Sequence, residues 1–280
     1  MTAARCFGVL GHPISHSKSP AMHGAAFQEM GLPHRYLAFD VEPDGLAAAL
    51  AGAAALGFGG LNLTVPLKTD ALPLMDVLSP EAEAIGAVNT VCFTEGGTLG
   101  RNTDGAGFTE ALGSLVDPLP RRAVVLGGGG AARAVAYALL ESGAQVQWVS
   151  RRPGSLPAWP GVVALGYEDL ATVLGGADVL VNGTTVGMKG GPSSFPVPVD
   201  VTELPARAVV ADLVYPAPVA GLVVQARAHG LRAMDGLPML WGQGVLALQH
   251  WLGLSLDLPT RTAMRAALGL EAESAAQLSM

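Results

Sequence analysis

Apolar residues along the first hundred positions fall into short and long segments that alternate. Short runs such as Cys6–Leu10 and Gly60–Leu63 predict buried strands, whereas longer stretches such as Ser19–Met30, which ends at Gly31, have helical spacing. Because strands and helices take turns, we expect a mostly parallel sheet. The predicted elements are strands Cys6–Leu10, His34–Phe39, Gly60–Leu63 and Ala87–Phe93, and helices Ser19–Met30, Pro43–Leu56 and one that opens at Pro66.

The same alternation continues in a second region, after a helix predicted over Asp104–Leu115 that connects the two. The elements predicted there are strands Ala123–Leu126, Gln145–Ser150, Ala177–Val181 and Ala208–Leu213, helices Gly130–Glu141, Tyr167–Leu174, Met239–Trp251 and Thr260–Leu268, and a loop over Lys189–Pro198. The last two helices follow the second set of strands, so they are free to return to the first region. The predicted fold class is α/β, with two α/β domains.

Composition narrows the classes of protein that this pattern allows. The 280 residues are 50% hydrophobic, which suffices for a sizeable core in one large or two modest domains. A net charge of −7 without a run of basic residues argues against a nucleic-acid partner. Residues 45–61 are uncharged, but alanine and glycine dominate them, so we expect neither a membrane span nor a membrane partner. The N-terminus shows no long apolar signal core, which favours the cytoplasm.

The two cysteines, Cys6 and Cys92, each lie in a segment predicted to be a strand. Two buried thiols in a reducing compartment is the favoured interpretation, and a disulfide stays open because its geometry cannot be read from the sequence. No cluster of cysteine and histidine has the spacing of a zinc site, and His12, His16 and His23 lack metal-ligand spacing. We therefore expect no metal.

A glycine-rich turn follows the strand Ala123–Leu126 and opens the helix Gly130–Glu141. Within it, Gly127-x-Gly129-x-x-Ala132 fits the dinucleotide-binding fingerprint. Glycines let backbone N–H groups approach a pyrophosphate, and the helix N-terminus adds a partial positive charge. The residues expected to bind the cofactor here are Gly127, Gly128, Gly129, Gly130 and Ala131.

The next strand ends at Ser150, Arg151 and Arg152, where an NAD site usually presents Asp or Glu to the ribose 2′-hydroxyl. Arginine favours a 2′-phosphate instead, through its charge and its planar set of donors. These three residues therefore predict NADP (NADPH) as the cofactor. Two solvated arginines in a loop is the alternative interpretation.

Only three of the 16 basic residues are lysines, and Lys68 follows an apolar strand and a proline. Lysine can lose its proton when desolvated, unlike arginine, so Lys68 is a candidate acid/base group. An exposed lysine in the first turn of a helix is the alternative. Near the N-terminus, Ser17 and Ser19 stand at a helix entrance, where hydroxyls and free N–H groups suit a carboxylate. Ordinary capping, with Ser19 as N-cap and Pro20 behind it, is the alternative there.

Seven ordered motifs resemble those of the shikimate dehydrogenase family and cover almost the whole chain. They are the Ser17/Ser19 segment, Gly57-Phe58-x-Gly60-x-Asn62-x-Thr64-x-Pro66-x-Lys68, Gly86–Thr90, Asn102–Gly105, the Gly127–Ala132 turn, Asp212–Tyr215, and Gly236-Leu237-Pro238-Met239-Leu240-x-x-Gln243. The resemblance implies reversible NADPH-dependent reduction of 3-dehydroshikimate to shikimate, a step of aromatic amino acid biosynthesis by way of chorismate.

The resemblance also implies a domain organisation. Residues 1–103 form a substrate-binding and catalytic domain, and residues 104–236 a Rossmann-type NADP-binding domain. Residues 237–280 are C-terminal helices that return to the first domain. The active site is expected in the cleft between the two domains.

By the same resemblance, Lys68 and Asp104 form the catalytic pair, in which Lys68 exchanges the proton and Asp104 orients it. Ser17 and Ser19 are implied to hold the substrate carboxylate, with Tyr215 as helper. The other residues implied to bind the substrate are Asn62, Thr64, Asn89, Asp104 and Gln243, and Leu213 and Gly236 complete the cofactor site. A helix N-cap role for Asp104 is the alternative.

Other functional classes stay open at this point. A quinate/shikimate dehydrogenase that uses NAD is one, although Arg151 and Arg152 argue against it. A non-catalytic relative that senses pathway intermediates predicts the loss of Lys68 or Asp104, and both are present. A nucleotide-binding interaction module leaves the polar residues of the first region without a purpose. We expect small-molecule partners, and a monomer or a homodimer.

Overall fold

The computed structural model describes residues 3–270, which form two compact α/β units. One unit comprises residues 3–107 and 240–270, and the other comprises residues 108–239. Each unit has its own six-stranded sheet. The predicted fold class, α/β with two α/β domains, is thus confirmed.

The sheet of the first unit is mixed. Its strands are β1 (Cys6–Gly11), β2 (Arg35–Asp40), β3 (Gly60–Leu63), β4 (Val77–Leu78), β5 (Thr90–Thr94) and β6 (Gly97–Arg101). They lie in the order β2-β1-β3-β5-β6-β4, and only β5 runs antiparallel to both of its neighbours. The predicted strand Ala87–Phe93 corresponds to β5. Its hairpin partner β6 and the antiparallel pairing were not predicted, because alternation with helices indicates parallel pairing alone.

Helices cover this sheet. They are α1 (Ser19–Glu29), α2 (Leu46–Ala55), α3 (Pro80–Ile85), the start of α4 (Asp104–Gly113), most of α8 (Leu237–Leu252) and α9 (Leu258–Ala267). Helix α9 packs on α1, and the Trp251 indole on α8 donates to the Val91 carbonyl at 3.0 Å. These C-terminal helices therefore share the core of the first unit. Within residues 3–270, every helix is too short or too polar to span a bilayer.

The prediction of a helix that opens at Pro66 is wrong. Residues 65–71 form turns and are followed by a short 3₁₀ segment, Leu72–Leu74. The carbonyl of Lys68 accepts a hydrogen bond from the backbone N–H of Val88 at 2.8 Å. That long-range bond takes the acceptor that a continuing helix would need, so tertiary pairing overrides the local tendency.

The second unit has an all-parallel sheet. Its strands are β7 (Arg122–Leu126), β8 (Gln145–Val149), β9 (Val162–Leu165), β10 (Val179–Asn182), β11 (Val209–Asp212) and β12 (Arg232–Met234). The order β12-β11-β10-β7-β8-β9 reverses direction beside β7, as in doubly wound nucleotide-binding folds. Its helices include α5 (Gly130–Glu141), α6 (Leu170–Leu174) and α7 (Leu222–Ala228).

Two hydrophobic cores cover the two faces of this parallel sheet. Successive residues of β7 enter them alternately: Ala123 and Val125 belong to one cluster, Val124 and Leu126 to the other. Side chains of a strand point to opposite faces in turn, so a strand that is apolar at every position must be covered on both sides. This explains why β7 was predictable, whereas the short edge strands β9 and β12 were not.

Candidate active site

Lys68 and Asp104 meet in the first unit, at one edge of its sheet. Lys68 Nζ lies 2.5 Å from Asp104 Oδ2, and their side chains are 12% and 4% exposed. Asp104 opens α4, where the helix N-terminus favours a negative charge. The carboxylate of Asp104 is thus engaged by a lysine that retains some access to solvent, which is the arrangement needed for a group that exchanges protons.

Neutral amide side chains surround this pair. The amide nitrogen of Asn89 lies 2.8 Å from Asp104 Oδ1, 3.0 Å from Thr103 Oγ1 and 3.3 Å from Gln243 Oε1. Asn89 and Gln243 are both buried. Gln243 is carried by α8, so a helix from the C-terminal part of the chain completes this cluster within the first unit.

The strand ends explain why these residues converge. Asn62 and Thr64 lie at the carboxyl end of β3, whereas Asn89 precedes β5, which runs the other way. The N–H of Leu63 donates to the Asn89 carbonyl at 2.8 Å, and the N–H of Thr64 donates to the Leu10 carbonyl at 2.9 Å. The expected hydroxyl-binding residues therefore lie along one edge of the sheet.

Asn62 has both of its polar atoms engaged by protein groups. The Tyr36 hydroxyl donates to Asn62 Oδ1 at 2.8 Å, and Asn62 Nδ2 donates to the Asn89 carbonyl at 3.0 Å and to Thr90 Oγ1 at 3.2 Å. Asn62 is buried as well. Its contacts are those of a residue that supports the cluster from behind.

Ser17 and Ser19 form a second group, at the start of α1. The helix begins at Ser19 with Lys18 as the N-cap residue, so Ser19 is not the N-cap. The backbone N–H of Ser19 donates to Ser17 Oγ at 3.3 Å. The loop before Ser17 is joined to the segment that carries Lys68 by a hydrogen bond from the His12 N–H to the Val65 carbonyl at 3.0 Å.

In the second unit, the expected cofactor residues all follow the carboxyl ends of parallel strands. The glycine-rich turn follows β7, residues 150–152 follow β8, and Leu213 follows β11. Gly236 lies two residues after the end of β12. Carboxyl ends of parallel strands meet at one edge of a sheet, where such folds bind nucleotides.

The glycine-rich turn is shaped for close backbone approach. Gly127 has φ of +109°, a conformation that favours glycine, and an added Cβ there would lie 3.0 Å from the Gly183 carbonyl. The Trp148 indole donates to the Gly127 carbonyl at 2.5 Å, and Arg133 Nε donates to the Gly128 carbonyl at 3.2 Å. The turn therefore fits the phosphate-binding role, and two side chains from neighbouring elements hold its carbonyls.

Arg151 and Arg152 are exposed at the end of β8, and Ser150 is buried beneath them. Ser150 Oγ accepts the backbone N–H of Arg152 at 3.2 Å. An added Cβ on Gly128 would lie 3.2 Å from the same hydroxyl, so the serine lies directly against the glycine-rich turn.

Asp212 links the turns after β10 and β11. Asp212 Oδ1 accepts Asn182 Nδ2 at 2.8 Å and the N–H of Val214 at 3.1 Å. Burial raises the pKa of Asp212 to about 6. An added Cβ on Gly236 would clash with the Leu213 carbonyl, so these two backbones pass in direct contact. Tyr215 lies in the same unit, three residues after Asp212.

Comparison with known proteins identifies the family. A curated relative from Halorubrum lacusprofundi, named shikimate dehydrogenase (NADP(+)), is 44% identical in an alignment of 281 positions that covers 95% of this chain and 99% of the relative. The chain belongs to the shikimate dehydrogenase family. The family model described as the shikimate dehydrogenase substrate binding domain matches residues 9–91.

Solved structures of the shikimate dehydrogenase family and its neighbours have the same fold. The Thermus thermophilus shikimate 5-dehydrogenase in complex with NADP(H) and shikimate is 41% identical, with a TM-score of 0.77, and the match covers 94% of this chain and 99% of that one. A ligand-free 5-ketofructose reductase of Gluconobacter is 34% identical, with a TM-score of 0.76 and coverage of 96% and 99%. The fold is thus shared by proteins that are named for two different activities.

Several residues of this shikimate dehydrogenase family member were not singled out from the sequence. Thr103 stands inside the Asn-Thr-Asp-Gly motif, so its position beside Asp104 was a usable signal. Trp148 and Tyr36 are buried aromatic residues whose polar atoms reach across strands, and nothing in their local sequence indicates a partner. Both cysteines are free, and Cys92 is buried as favoured from the sequence, whereas Cys6 is only half-buried.

Proposed function

We propose that this chain catalyses the reversible NADPH-dependent reduction of 3-dehydroshikimate to shikimate, with Lys68 as the acid/base group and Asp104 as its partner. The observation that carries the proposal is the 2.5 Å contact of Lys68 with Asp104 inside a cluster of neutral amides. Family membership and relatives named for NADP support the reaction and the cofactor.

The proton transfer follows from the properties of the pair. NADPH, when bound, supplies the hydride. In reduction, the Lys68 ammonium donates a proton to the oxygen of the carbonyl group, and in alcohol oxidation the neutral amine takes it back. Asp104 holds Lys68 in place and accepts from Asn89, so its carboxylate keeps one orientation.

Substrate recognition is proposed to use hydroxyl and amide groups without added charge. Ser17 and Ser19, at the N-terminus of α1, suit a carboxylate because hydroxyls and helix N–H groups both donate. Thr64, Asn89 and Gln243 suit ring hydroxyls. A buried group left without a partner carries a free-energy cost, so an analogue that lacks one hydroxyl is expected to bind less well.

The cofactor is proposed to bind along the carboxyl edge of the parallel sheet. Residues 127–131 would hold the pyrophosphate, and Arg151 and Arg152 would hold the 2′-phosphate of the adenosine ribose. The positive φ of Gly127 and the exposed arginines fit these roles. We further propose a cytoplasmic location, since both cysteines are free thiols. A monomer or a homodimer remains the proposed oligomeric state.

Arg151→Ala is expected to raise KM for NADP about 10- to 100-fold and KM for NAD less than about threefold, because a charge-assisted bond to the 2′-phosphate is lost. Initial rates with each cofactor measure the effect. Arg121→Ala is the matched control, since Arg121 is an exposed arginine at the other end of β7. Equal weakening of both cofactors by Arg151→Ala would show that the 2′-phosphate is read elsewhere.

A substrate panel tests the reaction itself. Shikimate and quinate are each paired with NADP and with NAD, and 5-ketofructose with NADPH, while the absorbance of the reduced nicotinamide is followed. We expect the highest kcat/KM for shikimate with NADP. A preference for 5-ketofructose would assign the chain the activity for which its Gluconobacter neighbour is named. A preference for quinate with NAD would support the alternative of a quinate/shikimate dehydrogenase that uses NAD.

A further inference from the structure

Tyr36 begins a chain of buried hydrogen bonds that ends at the proposed catalytic pair. Tyr36 lies on β2, away from Lys68 in the sequence, and its hydroxyl donates to Asn62 Oδ1 at 2.8 Å. Asn62 Nδ2 donates to Thr90 Oγ1 at 3.2 Å, and Thr90 Oγ1 donates to Asn89 Oδ1 at 2.9 Å. Asn89 Nδ2 then donates to Asp104 Oδ1 at 2.8 Å. All five residues that form this series of hydrogen bonds are buried.

Two backbone groups give this chain a single direction. The Asn89 carbonyl can only accept, so the atom of Asn62 that faces it at 3.0 Å must be the amide nitrogen. Asn62 Oδ1 then faces Tyr36, whose hydroxyl must donate. Likewise, the N–H of Thr103 can only donate, so the atom of Asn89 that lies 2.8 Å from it must be the oxygen. The nitrogen of Asn89 is thereby turned to Asp104.

The Tyr36 ring is itself held by a buried imidazole. His23 stacks on it with ring centroids 4.3 Å apart and an interplanar angle of 13°. Within residues 3–270, neither ring nitrogen of His23 has a hydrogen-bond partner, and burial lowers its pKa to about 3. His23 is therefore a neutral imidazole whose ring fixes the plane of the Tyr36 phenol. The Trp251 ring packs against the His23 ring, with 5.6 Å between their centroids.

We propose that Tyr36 and Asn62 are positioning residues of the active site, which act through Asn89 to hold the Asp104 carboxylate in the orientation that pairs with Lys68. The inference rests on the proposed function and goes beyond it, because neither residue needs to touch the substrate. It also reassigns Asn62 from reading a substrate hydroxyl to supporting Asn89. In a buried environment of low dielectric constant, each hydrogen bond of such a series strengthens its neighbours.

Tyr36→Phe removes one hydroxyl and keeps the ring. We expect kcat for shikimate oxidation to fall about 10-fold, the order of one neutral hydrogen bond, with KM changed less than about twofold. In an Asn89→Ala background the same substitution is expected to change kcat less than about twofold, since the effect travels through Asn89. Tyr137→Phe, on α5 of the other unit, is the control and should leave kcat unchanged.

Two kinetic outcomes overturn the inference. One is an unchanged kcat in Tyr36→Phe, and the other is a loss of equal size with and without Asn89. Thermal unfolding of each variant separates a loss of folded protein from a loss of turnover. The side-chain amide signals of Asn89 in a ¹⁵N NMR spectrum give a readout that needs no turnover: they should move in Tyr36→Phe, and unmoved signals refute the chain. An inactive wild type would refute the proposed function instead.

Discussion

Lys68→Ala is expected to lower kcat about 10²- to 10⁴-fold in both directions while KM for shikimate changes only modestly, because general acid/base catalysis is worth that factor and acts in the transition state. Lys68 Nζ lies 2.5 Å from Asp104 Oδ2, in the position from which it is proposed to exchange a proton with the reacting oxygen. Steady-state rates at saturating NADP measure the effect.

A second variant of Lys68 separates proton transfer from charge. Lys68→Arg keeps a cation beside Asp104, but arginine does not deprotonate, so we expect it to fail in alcohol oxidation almost as severely as alanine. Lys189→Ala is the matched control, since Lys189 is exposed in a loop of the second unit. Turnover of Lys68→Ala within about threefold of wild type would remove Lys68 from the mechanism.

His23→Leu is expected to remove a pH dependence of stability worth about 2 kcal/mol between pH 7.5 and pH 5. His23 is 0% exposed, and burial lowers its folded-state pKa from 6.5 to about 3. The unfolded chain therefore binds a proton below pH 6.5 that the folded protein does not. Stability falls as the pH drops from about 6.5 towards 3, at about 1.36 kcal/mol per unit. Leucine cannot take up this proton. The difference in free energy of unfolding between His23→Leu and wild type at pH 7.5 therefore becomes smaller, or changes sign, at pH 5.

Other groups titrate in the same window and must be accounted for. Asp212, whose raised pKa is about 6, acts with the opposite sign: its stabilising contribution is present below pH 3.8 and is lost as the pH rises through 6. Burial also lowers the pKa of His34, which acts in the same direction as His23. Tyr36, Trp251 and Gly244 lie against the His23 ring, and these residue types carry no charge between pH 5 and 7.5.

Urea unfolding at pH 5, 6 and 7.5 provides the measurement, followed by tryptophan fluorescence because each unit contains two tryptophans, Trp148 and Trp159 in one and Trp241 and Trp251 in the other. Comparing the variant with wild type at each pH cancels the contributions of Asp212 and His34. His229→Leu is the control, since His229 is exposed. An identical pH profile in His23→Leu and wild type would show that His23 is not held neutral.

Local patterns predicted the elements that depend on neighbours in the sequence. The strand β7, the glycine-rich turn and α5 were predictable because a run of apolar residues, a turn and a helix start follow one another directly. The segment after Pro66 was not predictable, because the carbonyl of Lys68 accepts a hydrogen bond from the N–H of Val88, which is far along the chain. The hairpin partner β6 was missed for a related reason: most of its residues are glycine, threonine or arginine, and they form no apolar run.

The sequence by itself determined the two α/β units, the glycine-rich turn with the arginines after the next strand, and the family motifs that include Lys68 and Asp104, because each of these depends on contiguous residues. Only the tertiary structure decided which residues contact one another within these motifs. Asn62 stands in a family motif, and its amide is enclosed by Tyr36 and Asn89, which lie 26 and 27 residues away. Strand pairing creates those contacts, and a buried amide takes the partners that the folded sheet provides.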